Sequence, residues 1–279
     1  MKPFGTLVVV LAIMVATPYA DISVAANGEE MYFGSVAMDI PAVMYNRLQP
    51  LTHYLSAGLD RSVTLKLSPD MESAIRDLSS GSVDLAYLTP VAYLKAHAMG
   101  DARLLVKTVT EGKGSFQLMI VVKEDSPIKT VAGLKGRDFA FGDKAALLQR
   151  AIVVNAGIGL EDFKSYKFIG HYDNIVRGVI NGDFDAGILK DTMAYKWDGK
   201  GIRILYVSPP LPPYNISISS AVDAKTYTKL KELLLHLNAQ DPRHVEVIHA
   251  LDVKYSGFAA VDDGEYDIVR KLIKPFEAK

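Results

Sequence analysis

Phe116-Gln117-Leu118-Met119-Ile120-Val121-Val122-Lys123 (FQLMIVVK) and Ile202-Arg203-Ile204-Leu205-Tyr206-Val207 (IRILYV) decide the fold of this chain. Each is a β-type run, longer and more apolar than most of its neighbours. The second is stopped by Pro209, Pro210, Pro212 and Pro213, which cannot continue a ladder. Short β-type runs alternate with helical patterns on both sides of FQLMIVVK, which is the signature of an α/β fold with mostly parallel sheets. Two long strands set between two such series read as paired crossings between two lobes.

Working outward toward the N-terminus, strands are expected at Met31–Ala37 and Ser62–Leu67, with helices over Val43–Ser56 and from Pro69 to Leu78. Val83–Leu88 (VDLAYL) is almost wholly apolar, as a strand buried on both faces should be. Pro90 then stands at the first position of a helix, where its missing N–H costs nothing. Toward the C-terminus, Asp138–Phe141, a helix over Lys144–Asn155, a strand near Tyr166–Ile169, a helix over Asn174–Asn181 and a strand at Phe184–Ile188 build the second lobe. The remainder, Ile216–Lys279, reads as mainly helical and is expected to return onto the first lobe. The expected division is residues 27–118 plus 208–279 for lobe 1 and 119–207 for lobe 2. The alternative on pattern alone is a single doubly wound domain with a helical tail.

The chain has 279 residues, a formal charge of −1 and no cysteine. A near-neutral balance without basic runs points away from nucleic acid. The lack of cysteine excludes disulfides, thiolate metal sites and a thiolate nucleophile. Lys2, the apolar stretch Leu7–Val15 and the small residues Ser23–Ala26 have the order of a cleavable export signal. The alternative is a membrane anchor, but this apolar core is about half the ~20 residues a spanning helix needs. Cleavage after Ala25 or Ala26 (residues 1–26 as signal) would release a protein into the periplasm with no lipid attachment.

Motifs for chemistry are absent: there is no G-x-S-x-G elbow, P-loop or H-E-x-x-H. His244 and His249 lie five apart and read as solvated surface, while Asp262, Asp263 and Glu265 read as helix capping rather than a metal site. No metal or cofactor is expected, and an enzyme is not. On this scaffold a catalytic centre would have to come from His171 with Asp191.

Four stretches in order, Val83–Tyr93 (VDLAYLTPVAY), Ile120–Asp143, Gly170–Asp191 (GHYDNIVRGVINGDFDAGILKD) and Ser208–Asn215 (SPPLPPYN), resemble the phosphate/phosphite/phosphonate-binding protein family, the PhnD-like substrate-binding components of ABC transporters. The resemblance spans nearly the whole mature chain. It implies a two-lobed type II periplasmic binding protein that closes around a small anionic ligand, phosphonate- or phosphate-like or another oxyanion, and docks on a permease in the inner membrane. A role as a sensor feeding a membrane histidine kinase is the alternative. In such folds the ligand lies beyond the carboxyl ends of strands, where helix N-termini favour anions. The site residues implied are Tyr45, Thr89, Tyr93, Lys144, Ala145, Ala146, His171, Asp191 and Tyr214, with Tyr87 read as core. One departure stands out. Where phosphonate binders of this family carry a Ser/Thr-rich turn, this chain has Gly142-Asp143-Lys144-Ala145-Ala146-Leu147, without a hydroxyl. Losing several charge-assisted hydrogen bonds of roughly 1.5–3 kcal/mol each requires a replacement.

Overall fold

The structure, a computed structural model, describes residues 30–35 and 41–277. The export-signal expectation lies outside them. Among the described residues no helix is long and apolar enough to cross a membrane.

The chain runs β1 (Met31–Ser35), α1 (Pro41–Leu59), β2 (Val63–Leu67), α2 (Met71–Ser79), β3 (Leu85–Leu88), α3 (Pro90–Gly100) and β4 (Arg103–Thr110), then β5 (Leu118–Lys123), β6 (Asp138–Phe141), α4 (Leu147–Asn155), β7 (Ser165–Phe168), α5 (Tyr172–Asn181), β8 (Ala186–Lys190), α6 (Asp191–Trp197) and β9 (Ile202–Val207). It closes with β10 (Asn215–Ile218), α7 (Ala224–His236), α8 (Val245–Leu251), β11 (Tyr255–Ala259) and α9 (Asp267–Glu277). Two sheets result. One has the order β11-β4-β10-β3-β1-β2, the other β7-β6-β8-β5-β9.

Both sheets are mixed rather than mostly parallel. In the first, β1 pairs in parallel with β2 and β3, while β10 and β11 bring antiparallel pairings. In the second, β6 pairs in parallel with β7 and β8, and β5 runs antiparallel to β8 and β9. The alternation read from sequence leaves out Arg103–Thr110 and Tyr255–Ala259, and these two strands form an antiparallel pair at the edge of the first sheet. Val131–Leu134 is a 3₁₀ turn, and α4 starts at Leu147 rather than Lys144.

The runs FQLMIVVK and IRILYV pair with each other as β5 and β9, inside the second sheet. The passages between sheets are the short segments before and after them, residues 111–117 and 208–214. They are tied by a two-way backbone bridge between Phe116 and Leu211, at 3.0 and 2.8 Å. The last helix also departs from expectation. Its buried face, Val269, Leu272 and Ile273, packs chiefly on α4 of the second sheet and less on α3. One apolar core therefore runs beneath both sheets.

Close approach positions the second half. Gly187 on β8 lets α5 lie directly on the sheet, because a Cβ there would stand 2.4 Å from Ile175 Cγ2. A side chain at this position would lift α5 and move its N-terminus.

His244 is a correction. Instead of facing solvent it is buried, edge-on to Tyr54 and His236 at 5.9 and 5.1 Å. It occupies the cap position of α8 where that helix meets α1. His249 is half-buried. The acidic group does act in capping: Asp262 accepts the Glu265 N–H at 3.3 Å. Asp263 and Glu265 pair with Arg270 and Lys107. No metal-ligating cluster occurs among the described residues.

Candidate functional site

A continuous cleft opens where the carboxyl ends of β3, β6 and β7 face one another. It has an inner part of about 290 Å³ and an outer part of about 520 Å³. Asp143, Ala146, Gln149, Tyr172, Tyr214 and Tyr255 line both parts. The first sheet's side contributes Thr89, Tyr87, Tyr214 and Tyr255, with Arg47 from α1; the second contributes Ala145, Ala146, Gln149, His171 and Tyr172.

Three helix N-termini point into this space. Thr89 caps α3 by accepting the Ala92 N–H at 3.2 Å, with Pro90 in the first turn. The caps of α4 and α5 are Ala146 and His171, and neither side chain caps its helix. Their loops are held together because the Gly170 N–H donates to the Gly142 carbonyl at 3.2 Å. Gln149 adds a second tie: its Oε1 accepts the Gly142 N–H at 2.8 Å and its Nε2 donates to the Tyr172 hydroxyl at 3.3 Å. Two neighbouring helix starts without side-chain caps thus share one opening, and their amide dipoles favour negative charge there.

The hydroxyl-free turn adopts a closed conformation. The Asp143 carboxylate accepts the Ala145 N–H at 2.7 Å, and the Asp143 carbonyl accepts the Ala146 N–H at 3.0 Å. That turn uses up residues that otherwise would begin α4, which explains the late helix start.

The aromatic wall is built from distant segments. Tyr87 and Tyr214 stack at 5.2 Å with 19° between planes, and the Tyr87 and Tyr255 hydroxyls bond at 2.7 Å. Tyr87 is therefore both buried core, as read from its apolar strand, and cleft wall. Burial pushes the phenols of Tyr87, Tyr172, Tyr214 and Tyr255 above their ordinary range, so all four stay neutral donors at physiological pH. Arg47 and Lys190 face Asp143 and Asp252 in this cleft. The formal charges balance, so preference for an anion has to come from placement.

Of the residues expected from sequence, Thr89, Ala145, Ala146, His171 and Tyr214 line the cleft. Four do not. Tyr45 is 45% exposed on the outer side of α1. Lys144 is exposed, and its carbonyl accepts from Arg150. Tyr93 is buried in the core, its hydroxyl donating to Asp263 at 2.6 Å and its ring packed edge-on to Tyr266. Asp191 accepts the backbone N–H groups of Gln117 and Thr192 at 3.0 and 2.7 Å and lines a separate hollow near the inter-sheet passage. It fixes the start of β5 and does not orient His171. The residues missing from the expectation are Arg47, Gln149, Tyr172, Lys190 and Tyr255. Only Tyr172, next to His171 at a helix start, carried a local signal.

The family model described as "ABC transporter, phosphonate, periplasmic substrate-binding protein" matches residues 33–266. The phosphate-import protein PhnD of Mycolicibacterium smegmatis is 23% identical over 257 residues, covering 80% of this chain and 78% of that protein. Among solved structures, XAC2383 from Xanthomonas citri bound to ATP superposes with a TM-score of 0.75 at 20% identity, covering 90% of this chain and 98% of the other. PhnD1 from Prochlorococcus marinus in complex with methylphosphonate gives 0.71 at 18%, covering 89% and 98%. At these identities the structural likeness speaks for the fold, that of a type II periplasmic binding protein, while the family match extends over most of the sequence. The chain belongs to the family of periplasmic substrate-binding proteins of phosphonate ABC transporters.

Proposed function

We propose that this protein captures a small oxyanion in the cleft between its two sheets and delivers it to a membrane permease. The observation that carries the reading is the pair of side-chain-uncapped helix starts, at Ala146 and His171, opening into one cleft. The ligand replaces the caps those helices lack. Lobe 1, residues 27–118 with 208–279, and lobe 2, residues 119–207, close by bending at residues 111–117 and 208–214. Closure requires only that the ligand contact both lobes better when they are near. The chain reaches the periplasm through a cleaved signal, so the exported form should begin near Ala26 or Asn27, which an intact mass determines. The comparisons name transport components, and no observation favours the kinase-coupled alternative.

The test is the thermal stability of protein purified from periplasm against a panel of oxyanions and small phosphonates. A ligand at a hundredfold above its dissociation constant adds about 2.7 kcal/mol, or roughly 5–10 °C for a protein of this size. A panel with no shifting member would remove the anion-capture reading.

A further inference from the structure

The inner part of the cleft is apolar, with walls from Met71, Pro90, Val91, Phe116, Leu118 and Leu148. One cation stands among them. Lys190, the last residue of β8, lines this part, and its Nζ lies 5.5 Å from the centre of the Phe116 ring. Among the described residues its side chain has no hydrogen bond and no ion pair. Asp143, the acid that lines the same part, accepts the Ala145 N–H at 2.7 Å, and the other nearby acids also hold partners of their own. Asp191 holds the Gln117 and Thr192 amides, Asp252 accepts the Lys254 N–H at 2.9 Å, and Glu111 pairs with the Lys254 ammonium at 3.5 Å. Burial lowers the pKa of the Lys190 amine, with Asp191 and Asp252 opposing it. A half-buried cation at a cavity wall that makes no direct ion pair is a group that a bound anion would complete.

We propose that Lys190 is the anion anchor of this cleft, and that the apolar walls around it select an organic anion, a phosphonate or sulfonate bearing a hydrocarbon group, over inorganic phosphate. The inference rests on the anion-capture reading and assigns its specificity. A point charge on a flexible stem supplies what the missing hydroxyl turn does not. The apolar walls favour each buried methylene by about fourfold in affinity. Inorganic phosphate has nothing to place against Phe116, Leu118 or Leu148. Lys190 lines both this part of the cleft and the neighbouring hollow that holds Asp191, Glu111 and Lys254.

The experiment is calorimetric titration of the periplasmic protein with inorganic phosphate, methylphosphonate, butylphosphonate, phenylphosphonate and butanesulfonate, repeated on Lys190→Met and Lys190→Arg. Butylphosphonate or butanesulfonate should bind more than about tenfold tighter than inorganic phosphate, as the buried methylenes require. Lys190→Met should weaken that binding at least about tenfold, the order carried by one charge-assisted hydrogen bond, while Lys190→Arg retains most of it. Melting of the unliganded variants checks their folding. Lys190→Met should melt at or above the wild-type temperature, because a half-buried charge without a direct ion pair is removed; if it does not fold, Lys190→Gln takes its place. Wild-type affinity for butylphosphonate and butanesulfonate in the methionine or glutamine variant overturns the anchor, as does phosphate binding as tightly as the alkyl anions. If the wild type binds none of the five, the capture reading falls with it; if it binds an anion that Lys190→Met binds equally well, only the anchor falls.

Discussion

Tyr93 offers a sharp separation between core and site. Its side chain is 1% exposed, and its hydroxyl donates to Asp263 Oδ1 at 2.6 Å. Asp263 is 48% exposed and also receives Arg270 at 2.6 Å. Tyr93→Phe removes a hydrogen bond to a charged group, an interaction of about 1.5–3 kcal/mol. The carboxylate left behind keeps Arg270 and can take water, so the penalty for an orphaned acceptor is avoided and the lower end applies, about 1.5 kcal/mol. For a protein of this size that is roughly 3–6 °C in Tm. The ring contact with Tyr266 survives the substitution. Thermal and urea unfolding of the unliganded variant measure the first effect, and ligand titration measures the second, which should stay within about twofold of wild type, a few tenths of a kcal/mol. A variant with unchanged Tm and affinity lowered more than about tenfold would mean that the hydroxyl faces the ligand and that Tyr93 has been misplaced in the core.

Two further outcomes follow from the cleft walls. Gln149→Leu strands the buried Gly142 N–H and loosens the joined starts of α4 and α5; urea unfolding should show a loss of about 1–3 kcal/mol, accompanied by weaker ligand binding, and a loss of neither would dissolve the tie. Alkaline pH is the other lever. Burial raises the phenols of Tyr87, Tyr172, Tyr214 and Tyr255 in the folded state, whereas unfolded tyrosine ionises near pH ~10. The folded state then holds protons that the unfolded state loses, so this stability is present below pH ~10 and declines as pH rises past it. Tyrosinate absorbance from these four should appear together with unfolding, followed by circular dichroism; ionisation of the full tyrosine complement in a folded protein would contradict their burial.

The two-lobed α/β plan was legible because local signals agreed with one another. VDLAYL reads as a strand covered on both faces, and all of Leu85–Leu88 is buried. Pro90 after Thr89 announces α3 at the residue where it starts. The sheets' mixed character was less legible, since strand direction depends on which segments return from afar: β10 inserts between β3 and β4. The cleft shows the same division. Thr89, Ala146 and His171 sit at strand-to-helix junctions, which sequence pattern locates. The tyrosine wall joins Tyr87, Tyr172, Tyr214 and Tyr255 from separate segments, and nothing local distinguishes them from other tyrosines. Tyr93 is expected from sequence as a site residue, but its partner Asp263 lies 170 residues away. At the end of β8, Asp191 was the expected site residue, yet its carboxylate holds the Gln117 and Thr192 amides, while Lys190 beside it lines both the cleft and the neighbouring hollow.

The central claim is that an oxyanion occupies the shared opening of α4 and α5, and one titration addresses it directly. Ala146 lines both parts of the cleft, so Ala146→Trp should fill the space between the two walls while leaving the sheets intact. Calorimetry with the anion that most stabilises the wild type should register saturable binding to the wild type. The tryptophan variant should show none, with its unliganded melting temperature retained. Equal binding to both proteins would place the ligand elsewhere and contradict the account.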